Sequence, residues 1–296
     1  MASILVTSTL PGDGKSVVAA GIAAALRATG ATVRLERVGD SDSASADAVQ
    51  LSQVNGVRSS GQPVAPTDIA LDTDHVVIEA GDASGIEGDR TVLVTRHGEA
   101  DDDTVARALE SLAPDLVVIN AVPQYGDAEA IARVSGMGAS TASAVCALPQ
   151  DRHLAAPTVN DIAPAIEGAL SGDEALFDES SRDLVIGPVS AHEGMDYFRK
   201  YPDKTLVTRH DRIDIALGAL DYEPLCLILA GGEPTLPYVA QRAERESFAL
   251  ITTSMSTLEA VEAIGELYGR AAFVGRRKLD TAIDLVGSAV SLDPLT

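Results

Sequence analysis

At 296 residues and 46% hydrophobic content, the chain is long and apolar enough for about two packed domains and is not a disordered polypeptide. A formal charge of −22 and a pI near 4.4 argue against nucleic acid and anionic lipid as partners, because such a surface repels both. No apolar run approaches the roughly 20 residues a membrane span needs, and no basic segment before an apolar core marks a signal peptide, so a cytoplasmic location is expected.

Aromatic residues are only 3% and Trp is absent, so the core must be built from Val, Ile, Leu and Ala. Lys stands at 15, 200, 204 and 278, and every other basic residue is Arg. Acid excess and scarce Lys suit a halophilic protein in a salt-rich cytoplasm, where carboxylates stay hydrated while salt screens their repulsion. An ordinary acidic cytosolic protein shares that signature. Cys146 and Cys226 sit in apolar runs and read as inert buried thiols in a reducing compartment. The five His show no metal spacing.

The first predicted element is a buried strand, Ser3–Ser8. Thr9-Leu10-Pro11-Gly12-Asp13-Gly14-Lys15-Ser16 follows at once, then a helical run from Val17 to Thr29 stopped by Gly30. Strand, Gly-rich turn, Gly-Lys-Ser and helix together form the context of a P-loop, a phosphate cradle. The glycines let backbone N–H groups face phosphate oxygens, Lys15 adds a point charge, and the Ser16 hydroxyl can ligate Mg2+ at the positive helix end. The usual spacing has Gly where Thr9 stands.

Strand-like runs follow at Thr32–Leu35, His75–Ile78, Thr91–Thr95, Leu116–Ile119 and Ser143–Leu148, with an acidic, Ser-rich passage between Gly39 and Asp47. Continuous apolar strands alternating with helices predict an α/β, doubly wound, mostly parallel sheet. Polar segments near Leu170–Asp183 read as a linker, dividing the chain into domains 1–172 and 183–296. The second, smaller α/β domain has predicted strands at Asp183–Val189, Thr205–Thr208, Leu225–Ala230 and Phe248–Thr252. Its predicted helices are Ile213–Leu220, Pro237–Ser247, Ser256–Tyr268 and Lys278–Val290.

A P-loop needs a strand-end carboxylate to hold Mg2+, and Glu79 closes Val76-Val77-Ile78 in that manner. Asp47, on a helical stretch, reads by itself as a polar helix residue. Asn120 ends another strand, where its amide could face a purine edge or simply serve the turn that leads to Pro123. In the second half, Asp211-Arg212-x-Asp214 opens a helix, where the charges can be purely structural. Gly231-Gly232 between a strand and a helix is a tight turn or an anion nest, a possible second ligand site.

These residues together resemble the dethiobiotin synthetase branch of P-loop proteins. Closer still is the variant that precedes the catalytic domain in some bacterial phosphotransacetylases. The resemblance rests on Thr9-x-x-Gly-x-Gly-Lys-Ser, Asp47-Ala48, Val76-Val77-Ile78-Glu79, Asn120-Ala-Val-Pro123 and Leu148-Pro149-x-Asp151-Arg152-x-Leu154. It implies an ATP site at Thr9, Pro11, Gly12, Asp13, Gly14, Lys15 and Ser16, with Lys15 the catalytic cation. It also implies Mg2+ on Ser16, Asp47 and Glu79, and Asn120 with Pro123 at the base. The second half resembles the DRTGG domain that accompanies that P-loop domain, through Leu206–Ala216, Leu229-Ala230-Gly231-Gly232-Glu233-Pro234, Thr257-Leu258 and Arg277-Lys278-Leu279.

Two departures redirect the expected function. Glu36-Arg37 stands where the synthetases carry Lys-Pro, which reverses the electrostatics for an anionic carbamate. Glu79-Ala80-Gly81-Asp82-Ala83-Ser84-Gly85 replaces their Glu-Gly-x-Gly-Gly. No acetyl-transfer domain is attached, so phosphotransacetylase activity is not expected. The expected function is a nucleotide-dependent regulator or sensor linked to acetyl-phosphate, acetyl-CoA or cofactor metabolism, with slow or no hydrolysis. It would be a homodimer with an effector or protein partner at the DRTGG domain. Two alternatives are an ATP-dependent ligase or amidotransferase, with Asp13 and Arg37 handling substrate, and an interaction protein with a relic P-loop.

Overall fold

The computed structural model describes residues 2–81, 85–138, 144–187, 197–201, 203–232 and 237–296. Asp82-Ala83-Ser84, Ser143, Pro188-Val189 and Glu233-Pro234, all named above, lie outside the described residues. The chain divides into two compact units, residues 1–151 with 279–296, and residues 152–278.

The first unit alternates strands and helices: β1 (Ala2–Ser8), α1 (Lys15–Ala28), β2 (Val33–Val38), α2 (Asp42–Leu51), β3 (His75–Ala80), β4 (Arg90–Arg96), α3 (Asp102–Leu112), β5 (Leu116–Val122), α4 (Asp127–Gly138) and β6 (Ala144–Pro149). The strands form one sheet in the order β2-β3-β1-β4-β5-β6, with every pairing parallel. Ile4, Val6, Val76, Val77, Leu93 and Val117 have no exposed surface, as expected for strands covered on both faces. The chain leaves β1 for one side of the sheet and returns through β4 to the other. The carboxyl end of β1 is therefore the point where strand order reverses, the position at which open parallel sheets collect ligands.

The Ser-rich passage after β2 is less irregular than its composition implies. Ser41 caps α2 by accepting the Ala44 N–H at 3.2 Å, so the acidic segment becomes a helix that carries Asp47 over β2.

The second unit has a sheet in the order β7-β11-β10-β9-β8, made of β7 (Ala169–Gly172), β8 (Leu184–Ile186), β9 (Thr205–Arg209), β10 (Cys226–Ala230) and β11 (Ala249–Thr253). All pairs are parallel except β7 with β11. The expected linker at 170–183 thus contains a strand. Its polar residues misled because β7 is a half-exposed edge strand, fixed by Leu170–Ile251 and Ser171–Leu250 pairing. The whole chain is mixed α/β with mostly parallel sheets.

The expected split into 1–172 and 183–296 differs from the observed one at both ends. Residues 152–172 contribute to the second unit, and residues 279–296 belong to the first. The C-terminal helix Arg276–Ala289 reaches α1 through Val286, which lies against Gly21. A Cβ on Gly21 would stand 2.2 Å from the Val286 Cβ, so the helix sits close only because residue 21 has no side chain. Burial raises the pKa of Cys146 to about 11 and that of Cys226 further, in line with inert thiols.

Gly21→Ala should destabilise the protein by about 1–3 kcal/mol through overpacking, measured by urea denaturation. Adding Val286→Ala should recover part of that loss. Additive losses in the double variant would refute the contact.

Candidate functional site

The loop between β1 and α1 has left-handed backbone at Gly12 and Gly14, with φ of 89° and 96°. Gly14 is the N-cap of α1, and no side chain caps that end, nor does the first turn carry an acid. A Cβ on Gly14 would lie 2.1 Å from Asn120 Nδ2, so both conformation and space require glycine. Leu10 N donates to Asp13 Oδ2 at 2.8 Å, folding the loop back on itself. Burial raises the Asp13 pKa, while the Leu10 and Arg96 amides and the charges of Arg96 and Lys15 pull it down. Thr9 N donates to the Val94 carbonyl at 2.9 Å, tying the loop to β4, and Pro11 and Gly12 are exposed.

Glu79, with no exposed surface, is the centre of the site. Ser16 Oγ donates to its Oε1 at 2.9 Å, Arg37 Nε lies 3.3 Å from the same oxygen, and Lys15 Nζ lies 3.9 Å away. Arg37 Nε also stands 3.4 Å from Asp47 Oδ2, and Arg37 Nη1 donates to the Val38 carbonyl. Sheet register explains the encounter, because Arg37 on β2 is the direct partner of Glu79 on β3, and side chains of paired residues share a face. Glu36 is therefore on the opposite face. It accepts from Ser60 Oγ at 2.6 Å and Arg34 Nη1 at 2.9 Å.

The structure thus brings together Lys15, Ser16, Asp47 and Glu79, and places Arg37, named from sequence only as a substrate-handling residue of a ligase, between the two carboxylates. Period-two alternation along Leu35-Glu36-Arg37 puts Glu36 and Arg37 on opposite faces of the strand, and the pairing of Arg37 with Glu79 decides which of them faces the loop. Asn120 is near the loop but commits its amide to protein. Nδ2 donates to the Asp13 carbonyl at 2.8 Å, and Oδ1 accepts from Ala121 N at 2.8 Å. Pro123 lies exposed in the turn after β5, where Gly126 N donates to its carbonyl.

Two of the three residues expected to hold Mg2+, Asp47 and Glu79, are already engaged by a cation. Mg2+ is held by oxygens at about 2.0–2.1 Å in an octahedron. Here Asp47 Oδ2 and Glu79 Oε1 already face the Arg37 guanidinium. No group of three His, Cys, Asp or Glu able to hold a metal occurs among the described residues. Glu79 Oε2 is buried without a hydrogen-bond partner. Desolvation is the main reason the Glu79 pKa rises to about 7; Asp47 adds to the rise, and Arg37, Lys15 and Ser16 oppose it.

In the second unit, the loops after β9 and β10 come together, and a Cβ on Gly231 would stand 2.8 Å from His210 Nδ1. The residues expected to form a nest are occupied by their own fold. Gly231 N donates to the Thr253 and Met255 carbonyls at 3.1 and 2.8 Å, and Gly232 N to Thr253 at 2.9 Å. Arg212 grips Asp214 through two nitrogens at 3.0 and 2.8 Å, and Arg209 pairs with Asp211. Those guanidinium groups hold the Asp214 and Asp211 carboxyls below the usual range. The turn therefore has no free amides at 231 and 232 to offer an anion.

Residues 161–267 match the family model of the DRTGG domain. The second unit carries a DRTGG domain. The match starts before β7 and stops before the C-terminal helix, which is consistent with β7 being a strand of that sheet. Among solved structures, the chain is similar to the CBS and DRTGG domains of the regulatory region of Clostridium perfringens pyrophosphatase, a structure complexed with its activator diadenosine tetraphosphate. The identity is 17% and the TM-score 0.34, over 40% of this chain and 50% of that chain. This chain thus spans half the length of that neighbour. No helix among the described residues is long and apolar enough to cross a membrane.

A carboxyl whose pKa is raised on folding binds a proton more readily folded than unfolded. Wild-type stability should therefore fall as pH rises from about 4.5 to about 7, by up to about 3 kcal/mol from Glu79. Glu79→Gln should show a flatter profile in that window in parallel denaturation series. Superimposable slopes would show that Glu79 is not the titrating group.

Proposed function

We propose that the chain is a nucleotide-dependent regulator. In this reading the loop Thr9–Ser16 takes the phosphates of ATP, and the DRTGG-containing unit receives a small-molecule effector or a protein partner. The observation that carries the reading is the loop itself. Two left-handed glycines open an uncapped helix start, and Lys15 and Ser16 follow at its first turn. An uncapped helix N-terminus beside an ammonium is a favourable place for phosphate. It is also a local cationic feature in a chain of net charge −22, where non-specific anion binding is otherwise disfavoured. The strand-order reversal at β1 adds a positional reason for a ligand there.

Regulation fits this arrangement better than ligation. Glu36, at the position of the synthetases' lysine, is held by Ser60 and Arg34 on the other side of the strand and offers no cation for a carbamate. Glu79, the carboxylate next to the loop, is held by Ser16 and Arg37 rather than aimed at a water, so turnover is slow or absent in this reading. The P-loop family assignment, homodimerisation and a link to acetyl-phosphate, acetyl-CoA or cofactor metabolism belong to the same proposal and rest on the sequence resemblance, whereas a salt-rich cytoplasm rests on the acidic, Lys-poor composition.

Calorimetric titration with ATP and magnesium in molar potassium chloride should show saturable binding. Lys15→Ala should weaken it at least about tenfold, as expected for loss of a charge-assisted contact. Absence of binding to wild type, or equal affinity in the variant, would reject the proposal.

A further inference from the structure

Arg37 is an arginine in the place where the resemblance puts a metal ion. Its Nε stands 3.3 Å from Glu79 Oε1 and 3.4 Å from Asp47 Oδ2, and its side chain is 6% exposed. The guanidinium is seated by its surroundings, since Nη1 donates to the Val38 carbonyl. A Cβ at Gly39 or Gly81 would come within 3.4 or 3.7 Å of its nitrogens. Across β2, α2, β3 and the start of α1, two carboxylates face two cations, Arg37 and Lys15.

Without Arg37, Asp47 and Glu79 would be a pair of anions next to a site for a polyanion, and a divalent ion would be needed to join them. With Arg37 in place, that charge is already matched. A dication drawn to these oxygens must first displace a guanidinium that is held by two carboxylates and a carbonyl.

We infer that Arg37 is the resident counter-cation of this site and replaces the divalent metal, so that the loop binds a nucleoside triphosphate without Mg2+. The inference rests on the nucleotide-binding reading and specifies the ion requirement of that same site. Arg37 acts here as a positioning residue through Asp47 and Glu79.

The test compares ATP titrations of the full chain in molar potassium chloride with magnesium and with EDTA. Wild-type affinity should change less than about threefold between the two, whereas Arg37→Ala should lose at least about tenfold in EDTA and regain it with magnesium. Arg37→Lys, which restores a cation, should recover metal-independent binding and guards against a variant that merely unfolds. In a second arm, manganese without nucleotide is followed by electron paramagnetic resonance. Wild type should leave the free manganese signal unchanged, and Arg37→Ala should reduce it. Wild-type ATP binding that collapses in EDTA and returns with magnesium, or wild-type manganese uptake lost in Asp47→Asn, overturns the inference alone. Absence of ATP binding in both buffers overturns the nucleotide reading and the inference together.

Discussion

A buried carboxylate organises the first unit. Glu79 has no exposed surface, and one of its oxygens receives Ser16 from the helix start while facing Arg37 from the neighbouring strand and Lys15 from the loop. It therefore links β3, β2 and the β1–α1 connection at the carboxyl edge of the sheet. Its desolvation is large enough to lift its pKa to about 7 in spite of two cations. Such a group is costly to leave unpaired, so the positions of Lys15, Ser16 and Arg37 are coupled through it rather than independent.

The second unit is organised by its turns. The loops after β9 and β10 use their arginines on their own aspartates and their glycine amides on the Thr253 and Met255 carbonyls. Residues that looked like free donors in the sequence are structural in the fold. The same unit explains part of the unusual lysine usage. Lys204 and Lys278 are fully buried and donate to the Tyr222 and Ala272 carbonyls at 2.9 and 2.7 Å, and burial lowers the Lys278 pKa to about 8. Lysine persists where a compact ammonium meets a carbonyl in the interior, while the cations of the surface are overwhelmingly arginine.

Sequence periodicity located most strands because parallel strands covered on both faces read as unbroken apolar runs, as in Val76-Val77-Ile78 and Leu227-Ile228-Leu229. It missed β7, an edge strand whose alternate residues face solvent, and it placed the C-terminal helix with the wrong unit. Helical periodicity states that a helix has an apolar face, not which partner covers it. That partner was set by a bare backbone at Gly21 opposite Val286.

By itself the sequence determined the local chemistry of the loop, because Gly12, Gly14, Lys15 and Ser16 are adjacent in the chain and their geometry follows from neighbours along it. It also determined the α/β class, which follows from periodicity. Only the tertiary structure decided that Arg37, ten residues from Asp47 and farther still from Glu79, stands between their carboxylates. Only the tertiary structure decided that Asn120 holds the Asp13 carbonyl. The reason is register: which strands lie side by side, and which side chains share a face, is fixed by long-range pairing that no local stretch of residues encodes.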